Sequence, residues 1–268
     1  MHTKKYSNPP LVEAICTFQF APSAPWDATI LGLVYDRLKR EFPVKAQAPG
    51  FQISFTSGGT PPIGAERMQF RKADNSALVQ VSPDTLTVNH LTPYGGWPQF
   101  QAMIQNVLAT YREVAAPSGL NGISLRYINR LFVPASLAEG ETGGVEIGNY
   151  LRTHPVVPDS IPQVFLDWAQ RVVVPFAETQ QAIVMQAGTA PASEDSHLVF
   201  LLDLDARPLD GQTALLANMT SWLEDAHMNV ETVFESCLGP KARLLFGEEP
   251  SSEAVVSAAD LKEASDEL

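Results

Sequence analysis

The sequence predicts an α+β fold in which a curved antiparallel sheet is packed by long helices. Three observations support this prediction. Apolar and polar residues alternate in several short runs, turns such as Asp74-Asn75-Ser76 separate some of these runs, and other stretches repeat apolar residues at helical spacing. Strands linked by such short turns run antiparallel, because a parallel crossover needs about a dozen or more residues.

The first half of the chain supplies a strand, a helix, several short strands and a second helix. Alternation over residues 12–20 predicts the first strand, and Pro9-Pro10 before it cannot donate to a strand ladder. Apolar spacing predicts a helix from Trp26–Asp27 to Phe42, which Pro43 ends. The remaining predicted elements of this half are the strands Phe51–Thr56, Arg67–Lys72, Ala77–Ser82 and Thr85–Leu91, and a helix from Trp97 to Val114.

The second half repeats this order of elements. It begins with a predicted strand at Ile123–Val133, and a Gly-rich loop at Glu139–Gly144 leads to a short helix at Val145–Arg152. The remaining predicted elements are the strands Gln163–Pro175, Thr179–Ala187 and His197–Asp205, and the helices Gln212–Asp225 and Val230–Phe246, the last of them broken near Gly239-Pro240.

The repeated order suggests two similar α+β halves, residues 1–118 and 119–247, in one continuous sheet or a pseudo-twofold barrel. The alternative is a single α+β domain, since residue identities do not support a duplication. Residues 248–268 differ in composition: seven acidic residues and one lysine give them a formal charge of −6. We expect this acidic segment to be a solvated, flexible tail, with folding on a partner as the alternative.

The charge balance argues against nucleic acid as a partner. The chain has 268 residues, with 18 Lys and Arg against 30 Asp and Glu, and a formal net charge of −12. Such a chain repels phosphate backbones unless the fold assembles a local basic patch. The strongest local basic clusters are Arg37–Arg40 and Arg67–Lys72, and the first is expected on the solvent side of a helix.

The sequence favours a cytoplasmic protein without membrane contact. No stretch approaches the roughly 18 apolar residues of a membrane span, and no apolar region follows the first lysines as in a signal peptide. The two cysteines, Cys16 and Cys237, are too few for a disulfide framework. We expect both to be buried free thiols in a reducing compartment.

Catalytic and cofactor motifs are missing from the sequence. It contains no GxSxG, GxxxxGK[ST], GxGxxG or CxxC pattern, and its histidines form neither HxH nor HExxH. We therefore predict no cofactor, no metal ion and no catalytic residue, and we favour a function other than catalysis.

Two arginines and two aspartates have strand spacing that places each pair on one face. Arg126 and Arg130 share a face of one predicted strand, and Asp203 and Asp205 share a face of another. We favour cross-strand ion pairs. One alternative is contact with an anion or another ligand. The other is a divalent-metal enzyme, in which the two aspartates hold Mg²⁺ against a phosphorylated substrate.

Glu13 is a carboxylate within an otherwise apolar strand. If its face of the strand is half-buried, the carboxylate needs a hydrogen bond or an ion pair. Arg126 is the partner that we expect.

The stretch Tyr6-Ser7-Asn8-Pro9-Pro10-Leu11-Val12-Glu13-Ala14 resembles the Y-x-N-P-P-L-V-E-A signature of a sporadically distributed bacterial family about as long as this chain, with no assigned activity. The resemblance continues at Leu125–Arg130, Leu202–Asp205, Val233–Glu235 and Leu245–Gly247. It implies no reaction. The scattered distribution of such a family resembles that of defence or toxin–antitoxin genes.

These observations favour a non-enzymatic binding or interaction protein, antitoxin-like or an accessory of a bacterial defence system. A small-ligand-binding protein is the first alternative, and the metal enzyme is the second. The expected partner is a protein, with a neighbouring gene as its source, and a homodimer is an alternative if a strand leaves an open edge. The candidate binding residues are Glu13, Arg126, Asn129, Arg130, Asp203 and Asp205.

Overall fold

The computed structural model describes residues 6–21, 26–50, 64–134, 145–161, 165, 167–191, 198–209 and 218–247. The helices are α1 (Thr29–Leu38), α2 (Trp97–Ala115), α3 (Met219–Cys237) and α4 (Pro240–Leu245), and a 3₁₀ turn covers Ile147–Asn149. The strands are β1 (Leu11–Ala21), β2 (Val44–Gly50), β3 (Gly64–Arg71), β4 (Ala77–Val81), β5 (Thr85–Leu91), β6 (Gly119–Val133), β7 (Ala169–Phe176), β8 (Gln181–Ala190) and β9 (Leu198–Pro208).

Within the described residues, nine strands form one sheet in the order β2-β3-β4-β5-β1-β6-β9-β8-β7. Every pairing between neighbours is antiparallel. The sheet is curved, and it does not close on itself in this part of the chain. The predicted α+β class with an antiparallel sheet is therefore confirmed. Because β1 and β6 pair near the middle, strands from both halves of the chain belong to the same sheet.

One face of the sheet carries the hydrophobic core. In β1, the side chains of Ala14, Cys16, Phe18 and Phe20 are all buried, as the alternation of the sequence predicts. Side chains alternate between the two faces of a strand, so the residues between these four point to the opposite face.

The helices α1, α2 and α3 lie on the core face. The ring of Tyr35 on α1 packs on Phe70 of β3 at 5.2 Å, and Phe100 on α2 packs on His90 of β5 at 6.2 Å. Helix α3 contacts β9, β6 and β8. None of the described helices has both the length and the apolar character needed to cross a membrane.

Helix α3 corrects the prediction of two helices separated between Asp225 and Val230. It runs unbroken from Met219 to Cys237. Ala226 and Val230 are both buried and lie four positions apart, so one apolar face continues through the expected break. The break predicted near Gly239-Pro240 is confirmed, because α4 begins at Pro240.

Three further elements differ from their predictions. Strand β2 was not predicted, because Val44 to Gln47 are exposed and show no buried alternation. Backbone hydrogen bonds with β3 hold this strand in place. The helix expected at Val145–Arg152 is only the 3₁₀ turn, and β7 begins at Ala169 rather than at Gln163. Some predictions lie outside the described residues: the strand Phe51–Thr56, the loop Glu139–Gly144, the strand start at His197, the helix start at Gln212 and the acidic segment 248–268.

The segment before β1 is held by α3 and α4. The Tyr6 hydroxyl donates to Glu235 Oε1 at 2.8 Å, and Arg243 Nη1 donates to Glu235 Oε2 at 2.6 Å and to the Tyr6 hydroxyl at 3.0 Å. The Asn8 amide donates to the Phe246 carbonyl at 3.0 Å. Three stretches that carry the family resemblance therefore lie together in the fold.

Candidate ligand-binding face

The face of the sheet opposite the helices is concave and polar, and we call it the polar face. It bounds a cavity of about 730 Å³ lined by residues of β1, β3, β4, β5, β6 and β9. Hydroxyl and amide side chains such as Thr17, Gln80 and Asn89 line its middle. Arginines lie on both sides of them, with Arg67 and Arg71 on β3 at one end.

A row of side-chain hydrogen bonds crosses four strands of the polar face, and we call its five members the amide row. Arg71 Nη2 donates to Gln69 Oε1 at 2.7 Å, and Gln69 Nε2 donates to Gln80 Oε1 at 3.2 Å. Gln80 Nε2 donates to Asn89 Oδ1 at 3.0 Å, and Asn89 Nδ2 donates to Glu13 Oε1 at 2.7 Å. All four bonds run in one direction, from a guanidinium to a carboxylate. The row therefore fixes the orientation of each amide.

Glu13 ends the amide row. Burial raises the pKa of the Glu13 carboxyl above its ordinary value of 4.5, while the Asn89 hydrogen bond and the nearby charge of Arg126 partly offset that rise. The direct partner is thus Asn89, on β5, rather than the expected Arg126. The reason is the register, which places Asn89 opposite Ile15 and brings its amide within reach of Glu13.

Arg126 forms a two-point ion pair with Asp203 on the neighbouring strand. Arg126 Nε donates to Asp203 Oδ1 at 2.7 Å, and Nη2 donates to Oδ2 at 2.5 Å. The Asp203 side chain is fully buried beneath the guanidinium, and Gln186 Nε2 also donates to it at 3.4 Å. Burial lowers the pKa of Arg126, but the hydrogen bonds and charge of Asp203 outweigh it and raise that pKa overall. The predicted cross-strand ion pair is confirmed for these two residues.

Asp205 lines the cavity and pairs with a residue of its own strand. Arg207 Nε and Nη2 both donate to Asp205 Oδ2, at 2.8 and 2.5 Å. The other oxygen, Oδ1, is buried and has no hydrogen-bond partner among the described residues. Burial raises the pKa of Asp205 above its ordinary value of 3.8, and the charges of Arg207 and Arg126 only partly offset this.

Asn129 and Arg130 do not line the cavity. The Asn129 side chain is buried, and its Nδ2 donates to the Leu202 carbonyl at 3.2 Å. The Arg130 guanidinium lies 5.6 Å from the centre of the Phe132 ring. Of the six candidate residues, Glu13, Arg126 and Asp205 line the cavity and Asp203 lies beneath Arg126. A ligand-binding role for any of them stays a prediction.

Three arginines of the polar face were missed as site residues by the sequence. Arg67 and Arg71 alternate with Met68 and Phe70 on β3, and this alternation is the signal that places both arginines on one face. Arg207 follows Asp205 at the same spacing on β9. Arg67 has no hydrogen-bond or ion-pair partner among the residues whose side chains the structure describes, and its side chain lines the cavity.

Asp203 and Asp205, the two aspartates considered as metal ligands, are each bound by an arginine. Asp203 and Asp205 each accept two hydrogen bonds from a guanidinium. No group of three His, Cys, Asp or Glu side chains that could hold a metal ion occurs in the part of the chain that the structure describes.

A second polar cluster lies on the core face, between α3 and β6. His227 Nδ1 and the Tyr127 hydroxyl are 2.9 Å apart, and His227 Nε2 lies 3.3 Å from Glu231 Oε1. The Trp97 ring stacks on His227 with centroids 4.4 Å apart. His227 falls between the predicted helices Gln212–Asp225 and Val230–Phe246, but the unbroken α3 places it inside the helix. Burial raises the pKa of Tyr127 well above 10.0, so this hydroxyl is a hydrogen-bonding group rather than a base.

No family model matches this chain, and no curated protein matches it in sequence.

Proposed function

We propose that this protein is a non-enzymatic binding protein that holds a small, hydrophilic anion against its polar face. The observation that carries the proposal is the pair of half-buried guanidiniums of Arg67 and Arg71 at one end of the cavity. Arg67 has no partner among the described side chains, and Arg71 donates to the neutral amide of Gln69. Guanidinium groups bind carboxylates and phosphates through charge-assisted hydrogen bonds.

The lining of the cavity supports a small hydrophilic ligand over a nucleic acid. Among the described residues that line it, none is Phe, Tyr or Trp, so a nucleobase would find no ring on which to stack. Hydroxyls and amides such as Thr17, Thr87 and Gln19 instead offer hydrogen bonds to polar substituents. The volume of about 730 Å³ falls in the range of small-molecule sites, roughly 300–1,000 Å³.

The polar face therefore favours a small ligand over a protein as the molecule that binds. An antitoxin-like or defence-accessory role, with a partner from a neighbouring gene, stays a prediction because no contact among the described residues favours it. The metal enzyme loses support, since both of its aspartates are bound by arginines. A cytoplasmic location is part of the proposal.

We also propose that the chain is organised as two similar α+β halves, residues 1–118 and 119–247. The strand order supports it, because β5 flanks β1 as β9 flanks β6, and α2 follows β5 as α3 follows β9 in the chain. The boundary between residues 118 and 119 coincides with the first residue of β6.

Thermal unfolding with added pyrophosphate or citrate tests the proposal. Ligand at ten times its Kd should raise the Tm of the native chain by about 3–6 °C. The rise should be lost in Arg67→Ala and kept in the matched control Arg40→Ala, because Arg40 is exposed beyond α1. An equal Tm rise in both variants would place any anion elsewhere, and no rise with either anion in the native chain would contradict the proposal.

A further inference from the structure

Two oppositely charged parts of this chain are the acidic segment 248–268 and the end of the cavity formed by Arg67 and Arg71, which we call the arginine end. That segment carries −6 of the total −12. It leaves the described structure at Gly247, whose neighbour is Ser7: a Cβ at Gly247 would lie 2.1 Å from Ser7 Oγ. The segment before β1 then leads from Ser7 into the polar face at Glu13.

We propose that the acidic segment 248–268 binds in cis to the arginine end of the polar face and competes there with the anionic ligand. This inference rests on the proposed function, because it assigns a regulator to the same site. Its carboxylates are the chemistry that Arg67 and Arg71 bind. The other arginines of the face, Arg126 and Arg207, already hold Asp203 and Asp205, so β3 is where an additional carboxylate finds the least compensated cations.

The distances allow this contact. From Ser7 to Glu13 the chain spans at most about 20 Å, at roughly 3.3 Å per residue. From β1 to β3 the sheet adds three strand spacings, about 14 Å at roughly 4.8 Å each. Asp260, the first of the distal acids, lies 13 residues beyond Gly247 and so reaches up to about 43 Å. Arg71 is level with Ile15 in the sheet, whereas Arg67 lies four positions, about 13 Å, further along β3. Arg67 is therefore up to about 42 Å from Ser7. Glu263, 16 residues beyond Gly247, reaches up to about 53 Å, so the acids from Glu263 onward can reach both arginines.

Tethering makes a weak contact effective. For about 20 residues, random-coil statistics give a root-mean-square span of about 25 Å, which is of the order of the distance from Gly247 to β3. Linkers of matching span give effective concentrations on the order of millimolar. Contacts between exposed charges are individually weak and are screened by salt. The acidic segment should therefore occupy the arginine end at low ionic strength and yield it to a multivalent anion or to salt.

Paramagnetic relaxation in the full-length chain tests where the segment lies. A nitroxide is attached at Ser265→Cys, the native thiols Cys16 and Cys237 being buried. At low salt, we expect broadening of the backbone amide signals of Gln69 and Gln80, its loss in Arg67→Ala, and no broadening of Leu33 on α1. A mixed sample separates the cis contact from binding by a second copy. It contains one chain that carries the nitroxide but no ¹⁵N and another that carries ¹⁵N but no nitroxide, so only contacts between two copies can broaden its signals. Equal broadening in the mixed sample and in the spin-labelled ¹⁵N chain, or none at Gln69 and Gln80 in that chain, would overturn the proposal.

A competition measurement separates this inference from the proposed function. Pyrophosphate affinity is compared between the native chain and a full-length variant that carries Glu248→Gln, Glu249→Gln, Glu253→Gln, Asp260→Asn, Glu263→Gln, Asp266→Asn and Glu267→Gln. The variant should bind about threefold or more tightly at low salt, and this gain should vanish at high salt. A control with Asp159→Asn and Glu178→Gln, both exposed, should leave the affinity unchanged.

The outcomes of the two measurements are distinct. Equal pyrophosphate affinity in the native chain and the neutralised variant would overturn the competition and leave the proposed function standing. Broadening at Gln69 without pyrophosphate binding in either chain would mean that the arginine end receives only the acidic segment. That result would contradict the proposed function and the competition together.

Discussion

Arg126 and Asp203 are joined by two hydrogen bonds, of 2.7 and 2.5 Å, across the β6–β9 pair. The register sets Arg126 opposite Asp205, but its guanidinium reaches diagonally to Asp203. This choice leaves Asp205 to Arg207 and leaves Asp205 Oδ1 without a partner among the described residues. One diagonal contact thus determines the charge arrangement at the β9 side of the cavity.

Arg126→Ala should lower the free energy of unfolding by about 3–5 kcal/mol, because it leaves the fully buried Asp203 carboxylate without its counter-ion. Urea denaturation measures the loss. The double variant Arg126→Leu with Asp203→Leu removes both charges and should recover much of it, since replacing a buried pair by apolar residues is often close to neutral. A double variant no more stable than Arg126→Ala would show that the stranded charge is not the cause.

The raised pKa of Asp205 predicts a pH-dependent stability difference. The native state holds this proton more tightly than the unfolded chain, so the stability gained from protonation is fully present below the ordinary pKa of 3.8 and is lost as pH rises through the raised value. Asp205→Asn should therefore be more stable than the native chain near neutral pH. The difference should shrink as the native chain protonates at lower pH. Denaturation across this range measures both effects.

Asp74 provides the control of opposite sign. The backbone and side chain of Ser76 donate to Asp74 and lower the pKa of its carboxyl. Its contribution to stability is present above 3.8 and is lost as pH falls through the lowered value. Asp74→Asn should therefore be less stable than the native chain at neutral pH, and this deficit should shrink under strongly acid conditions. The same pH trend for Asp205→Asn and Asp74→Asn would refute the assignment.

Gly239→Ala should destabilise the fold by about 1–3 kcal/mol through overpacking. A Cβ at this position would lie 2.3 Å from the Asn149 carbonyl oxygen, and backbone cannot move aside as a flexible side chain can. Gly32→Ala on α1 is the matched control, because nothing lies within 4 Å of its added Cβ. That variant should gain about 0.5–1 kcal/mol from the better helix former. Thermal unfolding should show a lower Tm for Gly239→Ala and a higher Tm for Gly32→Ala. A Gly239→Ala chain as stable as the native one would contradict the close approach of Gly239 to the Asn149 carbonyl.

Tyr127→Phe should cost about 1–3 kcal/mol, because it removes the hydroxyl that pairs with buried His227 at 2.9 Å. Tyr111→Phe is the control: the Tyr111 residue is also buried, but its hydroxyl lies in a less buried environment and makes no hydrogen bond with the described residues. Equilibrium denaturation compares them. Similar losses in the two variants would mean that the Tyr127–His227 contact contributes little.

The strands of the core were predictable because a strand with one buried face has apolar residues at every second position. Ala14, Cys16, Phe18 and Phe20 alternate in the sequence and are all buried in β1. Strand β2 could not be found this way, because Val44 to Gln47 are exposed and the strand depends on its pairing with β3. The continuity of α3 was missed because His227 and Asn229 interrupt the apolar run while their neighbours Ala226 and Val230 keep one buried face.

The site was predictable only in part. Glu13, Arg126, Asp203 and Asp205 stood out as charges in apolar surroundings, and the structure brings all four to the polar face or directly beneath it. The amide row could not be anticipated, because its members come from four strands and meet only through the register of the sheet. Arg67 was visible as part of a basic cluster, and its alternation with Met68 and Phe70 indicates its face of β3. Which strands complete the cavity beside it depends on a pairing that no local pattern specifies.

The most direct test of the account is a ¹H–¹⁵N guanidinium NMR titration of the full chain with pyrophosphate. The proposal predicts that the Arg67 and Arg71 Nε signals shift together and saturate, while the signal of exposed Arg40 does not respond at those concentrations. Signals of Arg67 and Arg71 that move no more than that of Arg40 would contradict the claim that the polar face binds anions.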